Sequence, residues 1–105
     1  MKIAIAQIDM GFENKEYAMG ICSQLMAEAK EKEVDFIVFP EMTLPGFTLN
    51  PQTYGEDRND SKTMAFFKEE AKKNGLAVCY GLPVYENGVA TNHCIILDEN
   101  GEQLA

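Results

Sequence analysis

Residues 35–47, DFIVFPEMTLPGF, decide the fold. Four apolar residues, Phe36 to Phe39, run into Pro40; a lone carboxylate follows at Glu41, and the chain breaks at Pro45-Gly46. A short apolar run rich in β-formers and bounded by turn residues reads as a strand buried on both faces. Pro40 has no N–H and holds Phe39 extended, so the strand stops there. Glu41 then stands one residue past the carboxyl end of a central strand, the edge at which open α/β sheets bind ligands.

The surroundings of Glu41 allow two readings. A Glu after a strand is ordinarily a solvated loop acid. Here, however, Phe39, Met42, Leu44 and Phe47 are apolar, and Pro40 and Pro45 stiffen both sides. A carboxylate held in a dry, rigid frame has a raised pKa and can move protons near neutral pH. Composition does not separate the two.

Upstream, residues 2–9, KIAIAQID, alternate as a strand, with Ile3 and Ile5 on one face and Ala4, Ala6 and Ile8 on the other. Asn14 is a candidate N-cap for a helix whose apolar stripe runs Ala18, Ile21, Cys22, Leu25, Ala29. Strand, helix and strand within about 40 residues make a βαβ unit with parallel strands. Downstream, residues 45–60 form a long polar loop, and loops of that length are often functional. Its charges, Glu56, Asp57, Arg58 and Asp60, read as a solvated run. Ser61 caps a second helix through Asn74, with Met64, Phe67 and Ala71 inward and Gly75 at the C′ position. Residues 76–83 are a third strand, ENG is a hairpin turn, and residues 90–97 are a fourth strand. On that strand Asn92, Cys94 and Ile96 share one face, and His93, Ile95 and Leu97 the other. EQLA begins a frayed fifth. The order is β-α-β-α-β-β, a mixed sheet with helices on one face; two helices leave the other face uncovered, which predicts incompleteness or association.

A chain of 105 residues is at most one domain. Its net charge of −8 argues against nucleic acid or an anionic membrane as partner, and no apolar run approaches the ~20 residues of a membrane span. Three cysteines at no framework spacing imply reduced thiols and a cytoplasmic setting. Cys22, Cys79 and Cys94 each sit in apolar segments and read as small buried hydrophobes. With one histidine and no CxxC or HxxxH pair, no metal site is expected. QIDMGFEN, after the first strand, is no phosphate-binding glycine loop, so no nucleotide cofactor is expected either.

Together, KIAIAQID, DFIVFPEMTLPGF, YGLPVYENG, TNHCIIL and DENGEQLA resemble the N-terminal part of the nitrilase superfamily, the carbon–nitrogen hydrolases, in order and spacing. The wording around Glu41 looks most like the amidase and omega-amidase-like branches. The resemblance implies an α-β-β-α sandwich of two facing sheets, of which residues 1–105 are a single truncated domain. It implies a Glu-Lys-Cys triad acting on an amide or nitrile and releasing ammonia, with Glu41 matching the general base. The family's lysine and nucleophilic cysteine fall after Ala105. Cys22, Cys79 and Cys94 match a helix and two strands upstream of the nucleophile, and Lys62, Lys68, Lys72 and Lys73 belong to the second helix. This chain alone is therefore expected to be inactive.

The resemblance further implies Phe47 and Tyr54 as walls of the substrate pocket, Asn92 as a structural hydrogen-bonder and association of subunits as a homo-oligomer. His93, which nothing partners in sequence, reads as a satisfied strand residue. The competing reading is a complete non-catalytic binding or regulatory module of the same derivation, or a flavodoxin-like small-molecule binder.

Overall fold

The computed structural model describes all 105 residues. Four strands, β1 (Ile3–Ile5), β2 (Phe36–Val38), β3 (Ala77–Glu86) and β4 (Val89–Leu97), make one sheet in that spatial order. The pairs β1/β2 and β2/β3 are parallel, and β3/β4 is an antiparallel hairpin. Its turn uses Asn87 at φ 53° and Gly88 at φ 77°, the positive-φ pair that a two-residue hairpin demands. Helix α1 (Lys15–Glu31) joins β1 to β2, while α2 (Pro51–Tyr54) and α3 (Lys62–Asn74) lie between β2 and β3.

Both long helices begin and end as their residues dictate. The Asn14 side chain accepts from the Tyr17 N–H at 3.1 Å, and the Ser61 hydroxyl accepts from the Met64 N–H at 3.0 Å. Gly75 closes α3 in the left-handed region, φ 59°. Since the strands step across the sheet in one direction, right-handed crossovers place α1 and α3 on the same side. Ala18, Cys22, Met26 and Ala29 of α1 and Phe67 and Ala71 of α3 pack there against Ile37, Val78, Tyr80, Leu82, Val84, Ile95 and Leu97. Phe67 stacks on Tyr80 with centroids 4.1 Å apart.

The opposite face is bare. Ile3 is 56% exposed and Ile5 75%, and Phe36, Val38, Ala77 and Cys79 are only half-buried. β2 is thus buried on one face, not both, because every helix of useful length sits on the other side.

Element lengths also depart from the sequence reading. β1 covers residues 3–5 rather than 2–9, since its partner β2 stops before Pro40 and leaves it nothing to pair with beyond the Ala6 N–H to Val38 carbonyl bond of 2.9 Å. β3 runs to Glu86, through Pro83. Pro83 is tolerated because its carbonyl faces the β2 side, where the Glu56 N–H meets it at 3.0 Å, so the missing N–H is not owed to β4. The fifth strand is a single bridge, Leu97 to Gln103. Within the loop of residues 45–60 lies the unexpected α2, with Pro51 at its first turn.

Glu56 is the largest correction. It is not solvated: its side chain is 9% exposed. It accepts from Lys15 Nζ at 2.7 Å, the Ser61 hydroxyl at 2.6 Å, the Thr63 N–H at 2.9 Å and the Thr63 hydroxyl. The carboxylate joins the starts of α1 and α3 to the loop. Burial alone would raise its pKa, but the bonds from Lys15, Ser61 and Thr63 outweigh this and hold it below the ordinary value. A depressed folded-state pKa contributes stability that is present above the unfolded value, near 4.5, and lost as pH falls through the folded one. Urea midpoints should therefore fall on acidification from about pH 7 to below about pH 4. Glu56→Gln should lower the neutral midpoint and flatten that acid limb; an unchanged limb would remove Glu56 from this role.

Candidate active site

Beyond Val38, β3 outruns β2, and its free edge is taken by other backbone. The Phe39 N–H still reaches the Cys79 carbonyl at 2.8 Å. Next, the Thr43 N–H donates to the Gly81 carbonyl at 3.3 Å. The Thr43 hydroxyl accepts from the Gly81 N–H at 2.9 Å and donates to the Pro40 carbonyl at 2.6 Å. Thr43 is fully buried, so these bonds are sheltered from water. They fix the turn of residues 41–46 directly over β3.

That seat requires glycine. A Cβ on Gly81 would lie 2.4 Å from the Met42 nitrogen and 2.9 Å from both Cα and the carbonyl carbon of Glu41. Lower in the turn, a Cβ on Gly46, which has φ 70°, would meet the Gly11 carbonyl at 2.2 Å. The Glu13 N–H donates to the Pro45 carbonyl at 2.9 Å and secures the same junction.

So placed, the Glu41 side chain reaches across the open face. Asn92 Nδ2 donates to Glu41 Oε1 at 2.5 Å. The two border a hollow of about 330 Å³ whose other walls include Val38, Phe39, Cys79 and Cys94. The turn is held by backbone bonds on the strand beneath, and within residues 1–105 the Glu41 carboxylate itself is exposed.

Phe47, at φ 60° and 54% exposed, lines an adjoining hollow of about 620 Å³ with Ile5, Met10 and Pro40. The two hollows share Val38 and Phe39. Tyr54 borders neither; it lies on α2 beside Glu13, and burial together with the Glu13 charge raises its hydroxyl pKa. His93 pairs with Leu82 across the hairpin and hydrogen-bonds the Thr91 hydroxyl through Nε2 at 2.7 Å.

Among the cysteines, only Cys22 is the buried hydrophobe expected, its thiol pushed up to about 12 by burial and the charge of Glu70. Cys79 is half-buried and Cys94 exposed, because their strand positions face the uncovered side. No cluster of three or more His, Cys, Asp or Glu side chains could hold a metal ion, and no helix is long and apolar enough to cross a membrane.

Residue-by-residue reading missed the roles of Thr43, Gly81 and the Asn92–Glu41 bond. Gly81 did carry a signal, since glycine inside an apolar strand marks a close backbone approach. Asn92 is 51 residues from Glu41, and only its shared strand face with Cys94 hinted at where it points.

The chain matches the model of the carbon-nitrogen hydrolase family over residues 2–105. It is 31% identical over 80 residues to a formamidase of Allorhizobium ampelinum, a match that takes in 73% of this chain and 24% of that protein. It superposes on the amidase from Nesterenkonia sp. with a TM-score of 0.86 at 19% identity, covering all of this chain and 41% of the amidase. A mutant of the Nesterenkonia sp. AN1 amidase in complex with butyramide gives the same TM-score and the same coverage. The fold is therefore the N-terminal part of a nitrilase-like architecture. The chain spans about two-fifths of the solved amidases and a quarter of the formamidase.

Gly81→Ala should displace the Glu41 turn and cost stability, because the clash is with backbone rather than a flexible side chain. Gly20→Ala, in the exposed middle of α1 with open space around it, should instead stabilise by about 0.5–1 kcal/mol. Urea titrations of the two variants check the contrast; equal effects would show that the seat at Gly81 is not tight.

Proposed function

The chain belongs to the carbon-nitrogen hydrolase family, and on that premise we propose that the intact protein hydrolyses amides of small carboxylic acids, with Glu41 as general base. The observation that carries this is the seat of Glu41. Its backbone is locked by Thr43 and Gly81, one carboxylate oxygen is held by Asn92 at 2.5 Å, and the group faces an open hollow.

In this reading Glu41 takes the proton of a cysteine thiol, and the thiolate attacks the amide carbon. A lysine ammonium stabilises the tetrahedral oxyanion. The proton passes from Glu41 to the departing nitrogen, ammonia leaves, and Glu41 then deprotonates the water that cleaves the thioester. Lysine and nucleophile belong to the part of the triad outside residues 1–105, so these residues alone are inactive. No step calls for a cofactor.

The class of substrate is supported by the relatives. One is named a formamidase, and mutants of one amidase of this fold, from Nesterenkonia sp. AN1, hold acrylamide and butyramide. Phe47 walls the apolar side of the pocket, next to the Glu41 hollow. Tyr54 as a second wall is supported by its place in the same loop alone. The uncovered apolar face supports further polypeptide over this sheet and a homo-oligomer, and three unpaired thiols support a cytoplasmic setting.

Ammonia release by the intact protein, assayed with acetamide or butyramide, should fall at least about 100-fold in Glu41→Gln, a change that keeps the side-chain volume and removes the base. Residues 1–105 alone should release none above background. Turnover by residues 1–105 that disappears on Cys79→Ala or Cys94→Ala would overturn the assignment.

A further inference from the structure

The bond between Asn92 and Glu41 joins two points that the sheet itself fixes. On one side, the clamp at Gly81 holds the backbone of Glu41, so closely that an added Cβ would lie 2.9 Å from the Glu41 Cα. On the other, the β3/β4 ladder sets Cys94 opposite Gly81 and Asn92 opposite Pro83. Asn92 is thus the diagonal neighbour of Gly81 on the same face, a position from which long side chains reach across a sheet. The Glu41 turn stands where a side chain of residue 81 would be. Asn92 therefore meets Glu41 there, with Nδ2 2.5 Å from Oε1. Its neighbours along β4 point to the opposite face, where Thr91 and His93 hydrogen-bond each other at 2.7 Å. All of these contacts lie within residues 1–105, and none of them needs the face around Glu41 to be open.

Resting on the reading of Glu41 as general base, we infer that Asn92 is the positioning residue of that base and reserves Oε2 for the reacting proton. A carboxylate only accepts hydrogen bonds, so the Asn92 amide turns its NH2 group to it. This donor neither gains nor loses a proton in the working pH range and brings no charge. An ammonium in its place, as Lys15 is for Glu56, would favour the ionised carboxylate so strongly as to weaken the base. With Oε1 held, turning the carboxylate about its last bond breaks the contact, so Oε2 is presented in one direction. When the thiol S–H bond breaks, the electron pair stays on sulfur and the proton goes to Oε2. The Asn92 bond to Oε1 is kept, and Oε2 then gives the proton to the departing nitrogen.

Ammonia release by the intact protein with acetamide tests this. Asn92→Ala should lower kcat about 10–100-fold, the range for losing a hydrogen bond to a charged group. KM should be nearly unchanged, because Asn92 acts on the base and not on the substrate. In Asn92→Asp, which keeps the shape, two carboxylates repel at neutral pH. On acidification they share one proton, and the introduced carboxyl donates to Glu41 as the amide did. The kcat of Asn92→Asp relative to the parent should therefore rise as pH falls from about 8 to about 5, a response that bracing the strand would not give. Thr91→Val, which breaks the bond on the opposite face, should leave kcat unchanged. An unchanged kcat in Asn92→Ala, an equal loss in Thr91→Val, or an Asn92→Asp ratio flat with pH would each overturn the inference. Glu41→Gln is assayed alongside. If it is inactive while Asn92→Ala is unimpaired, the role of Asn92 falls and the general-base reading stands; if Glu41→Gln keeps full activity, both fall.

Discussion

Everything about the candidate site depends on the close approach of the Glu41 turn to the bare α-carbon of Gly81. β3 is longer than β2, so half of its edge would otherwise present unpaired backbone. Thr43 takes the N–H and the carbonyl of Gly81, and Glu56 takes Pro83 and Tyr85 further along. The site is thus built from the means by which the sheet completes its hydrogen bonding after Pro40 ends a strand.

The same topology makes the molecule two-sided. Two crossovers of one hand put α1 and α3 on one face, and that face supplies the core. The other face keeps Ile3, Ile5, Phe36 and Val38 in the open, together with Glu41, Asn92, Cys79 and Cys94. Chemistry-bearing groups therefore collect where packing is absent. Among residues 1–105 the Glu41 carboxylate lies exposed on that face, whereas the thiol of Cys22, on the packed side, is buried.

Much of this was legible in the chain. Caps at Asn14 and Ser61, the stop at Pro40, the left-handed Gly75 and the Asn-Gly turn each follow from local stereochemistry, and each acts within a few residues. The parallel order and the bare face follow from counting helices against strands, and Glu41 stands out as a candidate because Pro40 fixes where β2 ends. What resisted reading was long-range. Glu56 stands in a polar run like any surface acid, and only the folded chain brings Lys15 from 41 residues away. The extension of β3 through Pro83 depends on which side of the strand lacks a partner. That is a property of the sheet and not of the residue.

Glu56 and, in the role proposed for it, Glu41 divide one residue type between structure and chemistry. Glu56 is enclosed and satisfied: an ammonium, two hydroxyls and a backbone N–H take up its lone pairs. Its proton affinity is thereby set low, and it has no free site to offer a ligand. Glu41 has the reverse arrangement. Its backbone is the constrained part, while its carboxylate accepts a single bond from Asn92. A group that is to exchange protons with a substrate needs a fixed position and unfilled acceptor capacity at once. The turn over Gly81 provides the first without using up the second, since the bonds that fix it are made by backbone groups and the Thr43 hydroxyl and none by the Glu41 carboxylate.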